Sequence, residues 1–215
     1  MLDVPLPGTA GQFRPVDHDT TFLEGTAMTM VNDLVNPNNG IALSHMTEVI
    51  GHIKQMPELA QFQWRAKSRW INGAHTQTTF KDYAGAGGEQ SHRKAFVYDT
   101  DHPELFQQTD EGVTPVEYLL HALAGCLTAG IASVAAHRGV QLQEVTATLE
   151  ADHDMQPVLG LAKGQRPGFS AVRVRFDISG DASREELAAI VERSRQVSAV
   201  FDILSNPTAV TVEVA

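Results

Sequence analysis

The sequence predicts an α+β fold, and three observations carry that expectation. A long apolar helix lies across the middle of the chain, alternating strand-like segments gather on either side of it, and neighbouring strands follow one another without helices between them. The order is helix, three strands, long helix, two strands, helix, strand.

Residues 1 to about 38 are rich in Pro, Gly and Asp with weak periodicity, and are expected to form an irregular N-terminal extension. Residues 39–215 form the expected domain. It opens with a helix at about 40–56, where Ile41, Leu43, Met46, Val49, Ile50, Ile53 and Met56 recur at helical spacing before Pro57. The period then changes to two. Phe62 to Trp70 alternates bulky and polar residues, Asn72-Gly73 signals a turn, and Thr76 to Phe80 returns as a second strand. Beyond the Gly85-Ala86-Gly87-Gly88 loop, Lys94 to Tyr98 reads as a third.

The long helix begins at Thr114-Pro115-Val116-Glu117, a capping box with proline at the first helical position. Arg138-Gly139 ends it, a cation in the last turn and a glycine just past it. Val145 to Ala151 and Ala171 to Ile178 alternate as strands. Asp181 to Glu186 opens a helix reaching about Gln196, and Ala209 to Val214 has the pattern of a terminal strand.

Composition narrows the function. The formal net charge of −10 over 215 residues argues against a nucleic-acid backbone or an anionic membrane surface as partner. Within Val116–Ala136, Glu117 and His121 leave about fifteen residues free of ionisable groups, short of the roughly twenty that a bilayer needs. A helix buried in protein is the simpler expectation. One cysteine permits no intramolecular disulfide, and the N-terminus lacks a secretory pattern, so a cytoplasmic location is expected. The nine histidines form no metal-ligand cluster; His18, His102 and His153 sit beside acids far apart in sequence. Neither a cofactor fingerprint nor a phosphate-binding loop is present, so no cofactor and no metal are expected.

That leaves Cys126. Ala122, Cys126 and Gly130 lie four apart on one helix face, with Gly125 and Ala129 beside them, a small-residue stripe that lets another helix approach closely. The bland reading makes Cys126 a small hydrophobe in that contact. A reactive thiol needs a neighbouring cation or hydrogen-bond donor that favours the thiolate. His121 is five residues away and so poorly placed on the same helix.

The run Thr114-Pro115-Val116-Glu117-Tyr118-Leu119-Leu120-His121-Ala122-Leu123-Ala124-Gly125-Cys126-Leu127 resembles the central-helix signature of the OsmC/Ohr family. Asp101-His102-Pro103-Glu104-Leu105, Val200 to Pro207, and the helix after Asn39-Gly40-Ile41 resemble flanking segments of one branch, so the likeness covers roughly 39–215. The resemblance implies antiparallel sheets packed around a long buried central helix in an intertwined homodimer. It also implies a role in the oxidative stress response, in which a reactive cysteine, a resolving cysteine, a glutamate and an arginine reduce organic hydroperoxides.

Carried across by position, Cys126 matches the reactive cysteine. Ser198 stands where the resolving cysteine is expected, and Val116 where the glutamate is expected; Glu117, one residue later, is the candidate for the catalytic glutamate, with capping as its simpler role. No arginine lies between Trp70 and Phe80, leaving Arg69 and Arg93 as the candidate cations. Two functions follow. One is a one-cysteine, peroxiredoxin-like reduction of small hydrophobic hydroperoxides through Cys126, with an external thiol as reductant. The other is a non-catalytic OsmC-fold protein that binds an apolar small molecule at the dimer interface.

Overall fold

The computed structural model describes residues 39–214, so the expected extension over 1–38 lies outside the described residues. Four α-helices and five strands are found among the described residues. Helix α1 spans Leu43–Gln55 and is followed by a 3-10 turn at Pro57–Ala60; strands β1 (Lys67–Asn72), β2 (His75–Gly85) and β3 (Gly88–Thr100) come next. A second 3-10 turn at Glu104–Phe106 leads to the long helix α2 (Pro115–Arg138), strands β4 (Leu142–Asp152) and β5 (Ala171–Gly180), and helices α3 (Arg184–Val197) and α4 (Ala199–Ser205). The α+β class is as expected from the sequence.

The strands form two separate antiparallel sheets, β1-β2-β3 and β4-β5. The β2–β3 hairpin turns on Ala86 and Gly87, both at positive φ (50° and 81°), the geometry a two-residue hairpin of this twist requires. Between Phe80 and Asp82 the β2–β3 register shifts, so residues 92–95 bulge out of the ladder. The alternation from Phe62 to Trp70 divides in two. Only its second half is strand; Gln63 makes an isolated bridge to Ala84, and Phe62 and Trp64 stack beside Tyr83 with ring centroids 5.3 Å apart from each other.

Apolar packing concentrates where α2 and α3 lie against β4-β5. Ile131, Ala135, Val140, Leu187 and Ile190 form the buried cluster, with Leu142, Val145, Phe176 and Ile178 packed on it from the sheet. Burial alternates along β5 as its sequence does, with Val172, Val174, Phe176 and Ile178 turned inward. Glycine 130 is what lets the two helices meet. A Cβ there would stand 2.3 Å from the Ser194 Oγ, and the Ser194 hydroxyl donates to the Leu127 carbonyl at 2.7 Å.

Within one chain the long helix is buried on one side: Leu123, Leu127 and Ile131 are buried, whereas Leu119, His121, Gly125 and Ala129 on its other side are exposed. By length and composition α2 is apolar enough to cross a membrane; here its inner side packs on α3, α4 and β4. One expectation is corrected: Ala209 to Val214 forms no strand. Val210, Val212 and Val214 are more than four-fifths exposed, and among the described residues no strand pairs with this segment to take up its backbone hydrogen bonds.

Asn39 ties the start of the described chain to the end of α2. Its side chain donates to the Val140 carbonyl at 2.7 Å and accepts from the Leu142 amide at 2.7 Å. The buried Asp101 similarly organises the loop ahead of α2, accepting from the amides of His102 and Glu111 and from the Thr109 hydroxyl.

Candidate active site at Cys126

Helix α2 presents the Cys126 thiol half-buried on the side facing the α3–α4 junction. The crossing is antiparallel: Ser194 meets Leu127 and Gly130, and one turn further along the chain Ser198 meets Cys126. Ser198 is 6% exposed, and its hydroxyl donates to the Cys126 Sγ at 3.1 Å. The same oxygen accepts the Phe201 amide at 3.2 Å, capping α4. Among the described residues no other hydrogen bond reaches the sulfur. Its polar neighbour is a neutral hydroxyl.

One turn before Cys126, Ala122 belongs to the rim of an apolar groove of about 410 Å³. Thr78 and Phe80 from β2, Tyr98 and Thr100 from β3, and Pro115, Tyr118 and His121 from α2 line it. The aromatic walls support one another edge to face, Phe80 on Tyr98 at 6.1 Å and Tyr98 on Tyr118 at 6.3 Å. The Tyr118 hydroxyl donates to the Asp99 carbonyl at 2.9 Å, which locks that ring to the sheet. Such a lining suits a small hydrophobic molecule.

The other site residues expected from the sequence fall elsewhere. Glu117 turns back on the helix start, its Oε2 accepting both the amide and the hydroxyl of Thr114 at 2.8 Å, and it lies outside the groove lining. Arg69 pairs across the sheet with Gln77 and therefore shares that residue's face, opposite the face on which Thr78 and Tyr98 line the groove. Arg93 sits in the bulged part of β3, and no ion pair holds it among the described residues. Within one chain, then, the structure brings Cys126 together with Ser198 and places neither arginine in the groove lining. The face of Arg69 carries another polar pair, His75 Nε2 at 2.8 Å from Asp99 Oδ1, and the histidine's hydrogen bond holds that carboxyl below its usual range. No group of three or more potential metal ligands converges among the described residues.

Residues 108–213, which include both Cys126 and Ser198, match the family model for OsmC-like proteins. Over this stretch the chain belongs to the OsmC-like family. Among solved structures, the OsmC-like protein of Mycoplasma pneumoniae superposes with a TM-score of 0.51 at 14% identity, over 66% of this chain and 87% of that one. An organic hydroperoxide resistance protein OsmC from Legionella pneumophila gives 0.46 at 15% identity over 66% and 89%. The organic hydroperoxide resistance protein OhrB of Bacillus subtilis gives 0.40 at 16% identity over 65% and 89%. At these identities the likeness speaks to the fold, and the case rests on the first. No curated protein matches significantly.

The groove was not legible in advance. Its lining comes from three elements, and no local spacing links Thr78, Tyr98 and Tyr118. A weak signal existed in the alternation of Thr76, Thr78 and Phe80, which puts all three on one face.

Proposed function

We propose that this OsmC-like protein reduces organic hydroperoxides through Cys126 and is regenerated by an external thiol. The observation that carries the reading is the half-buried sulfur, hydrogen-bonded by Ser198 and one helical turn from an apolar, aromatic groove. A role in hydroperoxide resistance is the one for which the Legionella and Bacillus proteins are named, and the family match over the cysteine supports a shared chemistry.

In this mechanism the groove takes the apolar part of ROOH and leaves the peroxide at the thiolate. The sulfur attacks the distal oxygen and the O–O bond breaks. The alkoxide leaves and takes a proton as ROH, and the sulfur, oxidised by two electrons, becomes a sulfenic acid. With one cysteine in the chain, an external thiol displaces water from that sulfur to give a mixed disulfide. A second external thiol then releases Cys126 and a small-molecule disulfide. The sum is ROOH + 2 R′SH → ROH + H2O + R′SSR′.

We propose further that the working form is a homodimer. Leu119, Trp70, Phe80 and Tyr98 leave an apolar surface open around the outer side of α2, and Gly125 has nothing within 4 Å of its Cβ direction. A second copy would cover both and would bring arginines of one chain towards the thiol of the other.

The test compares the unaltered chain with Cys126→Ser against cumene hydroperoxide and hydrogen peroxide, with excess dithiol as reductant. Turnover confined to the unaltered chain, with a sulfenic acid trapped at Cys126 by dimedone, is expected. Equal and negligible consumption by both, with no trapped adduct, would leave the second reading. Among the described residues the sulfur is hydrogen-bonded by the neutral Ser198 hydroxyl, and that partner favours the second reading: a groove that holds an apolar molecule without turning it over.

A further inference from the structure

We propose that Ser198 is a positioning residue for Cys126: its hydroxyl proton is committed to the sulfur and holds the thiolate in place of a charged partner. The inference deepens the reading of Cys126 as a reactive thiol and rests on it for its biological meaning, though not for its test.

A serine hydroxyl has one proton to give and two lone pairs to share. One lone pair takes the Phe201 amide at 3.2 Å, so that group arrives as a donor and leaves the hydroxyl proton free to point elsewhere. The sulfur, 3.1 Å away, is where it points. A thiolate carries no proton of its own, so in that state the bond has one possible direction, serine to sulfur. At 6% exposure Ser198 meets little competing water, and a hydrogen bond to an ion strengthens in such surroundings. The oxygen is held from behind by the backbone, which fixes the donor's position before any charge forms.

The same closeness bears on the oxidised state. A serine cannot form a disulfide, so a sulfenic acid at Cys126 keeps its neighbour as a hydrogen-bond partner and waits for a thiol from solution. A single substitution would convert this arrangement into a dithiol site.

The test reads alkylation of Cys126 by iodoacetamide at pH 7 and at pH 10 for the unaltered chain, Ser198→Ala and Ser198→Thr. The rate at the higher pH normalises each variant for access, and the ratio of the two rates reports the donor. The ratio is expected to fall on the order of tenfold in the alanine variant and to recover in the threonine variant, which keeps the hydroxyl. A purely structural role for Ser198 would leave the ratio unchanged, and that result overturns the proposal. So does a threonine ratio as low as the alanine one with both variants folded.

Ser198→Cys gives an independent reading. One equivalent of diamide, which removes two hydrogens and is itself reduced to a hydrazine, is expected to close an intramolecular disulfide and take the free thiols from two per chain to none. Two thiols persisting in the folded variant would show that the side chains do not meet, and the proposal falls. Neither experiment contains peroxide. A chain whose thiol obeys Ser198 but ignores hydroperoxides would therefore refute the peroxidase reading alone.

Discussion

The hydroxyl of Ser194 is bonded to the carbonyl of Leu127 at 2.7 Å, at the place where Gly130 leaves room for α3 to lie directly on α2. This contact sets the height at which the following turn delivers Ser198 to Cys126. Gly130→Ala would put a methyl group 2.3 Å from the Ser194 Oγ and is expected to destabilise the fold by about 2 kcal/mol, read as a lower urea midpoint. Ser194→Ala alone should cost about 1 kcal/mol. The double variant should lose less than the sum, since removing the hydroxyl removes the clash. Strict additivity would show that the helices do not meet at these residues.

Asp101 gives the fold an acid-sensitive joint. Bonds from the Thr109 hydroxyl and from the His102 and Glu111 amides, with His75 nearby, hold its carboxyl down to about 2. The folded value lies below the unfolded one of roughly 3.9, so the stabilisation is complete above about pH 4 and drains away as pH falls towards 2. Asp101→Asn should therefore unfold more easily than the unaltered chain at pH 7, and the gap in urea midpoint should narrow at pH 3. A gap independent of pH would contradict this.

Glu117 is expected to matter for stability and not for chemistry. Its carboxylate is engaged by Thr114 at both the amide and the hydroxyl. Glu117→Ala should cost about 1 kcal/mol in chemical denaturation while leaving the iodoacetamide rate at Cys126 within twofold. A large loss of thiol reactivity in a folded variant would return Glu117 to the catalytic group.

The groove can be filled to test its specificity. Ala122→Phe places a ring among Phe80, Tyr98 and Tyr118. For the proposed reaction, kcat/KM for cumene hydroperoxide should drop about tenfold relative to that for hydrogen peroxide, which needs no apolar site. An unchanged ratio would show that bulky peroxides reach Cys126 by another route.

How far the sequence revealed these features depends on how local their causes are. The limits of α2 were legible because a capping box, a first-turn proline and a closing glycine act over four residues. The β2–β3 turn was visible as a glycine-rich loop, though Ala86 takes one of the left-handed positions. Ala209 to Val214 shows the limit of pattern reading: alternation describes what a strand would present, and says nothing of whether an edge is there to receive it. The short helix α4 went unseen because seven residues hold too little periodicity to register. Cys126 and Ser198 were each singled out, but 72 positions separate them, and their hydrogen bond exists only because α3 doubles back along α2.

Asn39 has a mechanical consequence. It is fastened to Val140 and Leu142 before the first helix begins. Tension applied through the residues ahead of it would be carried into the junction between α2 and β4, in the middle of the folded body. Helix α1 would stay slack until those side-chain bonds parted, so in a pulling experiment the first rupture should report on this clamp and not on the unravelling of the helix that follows it.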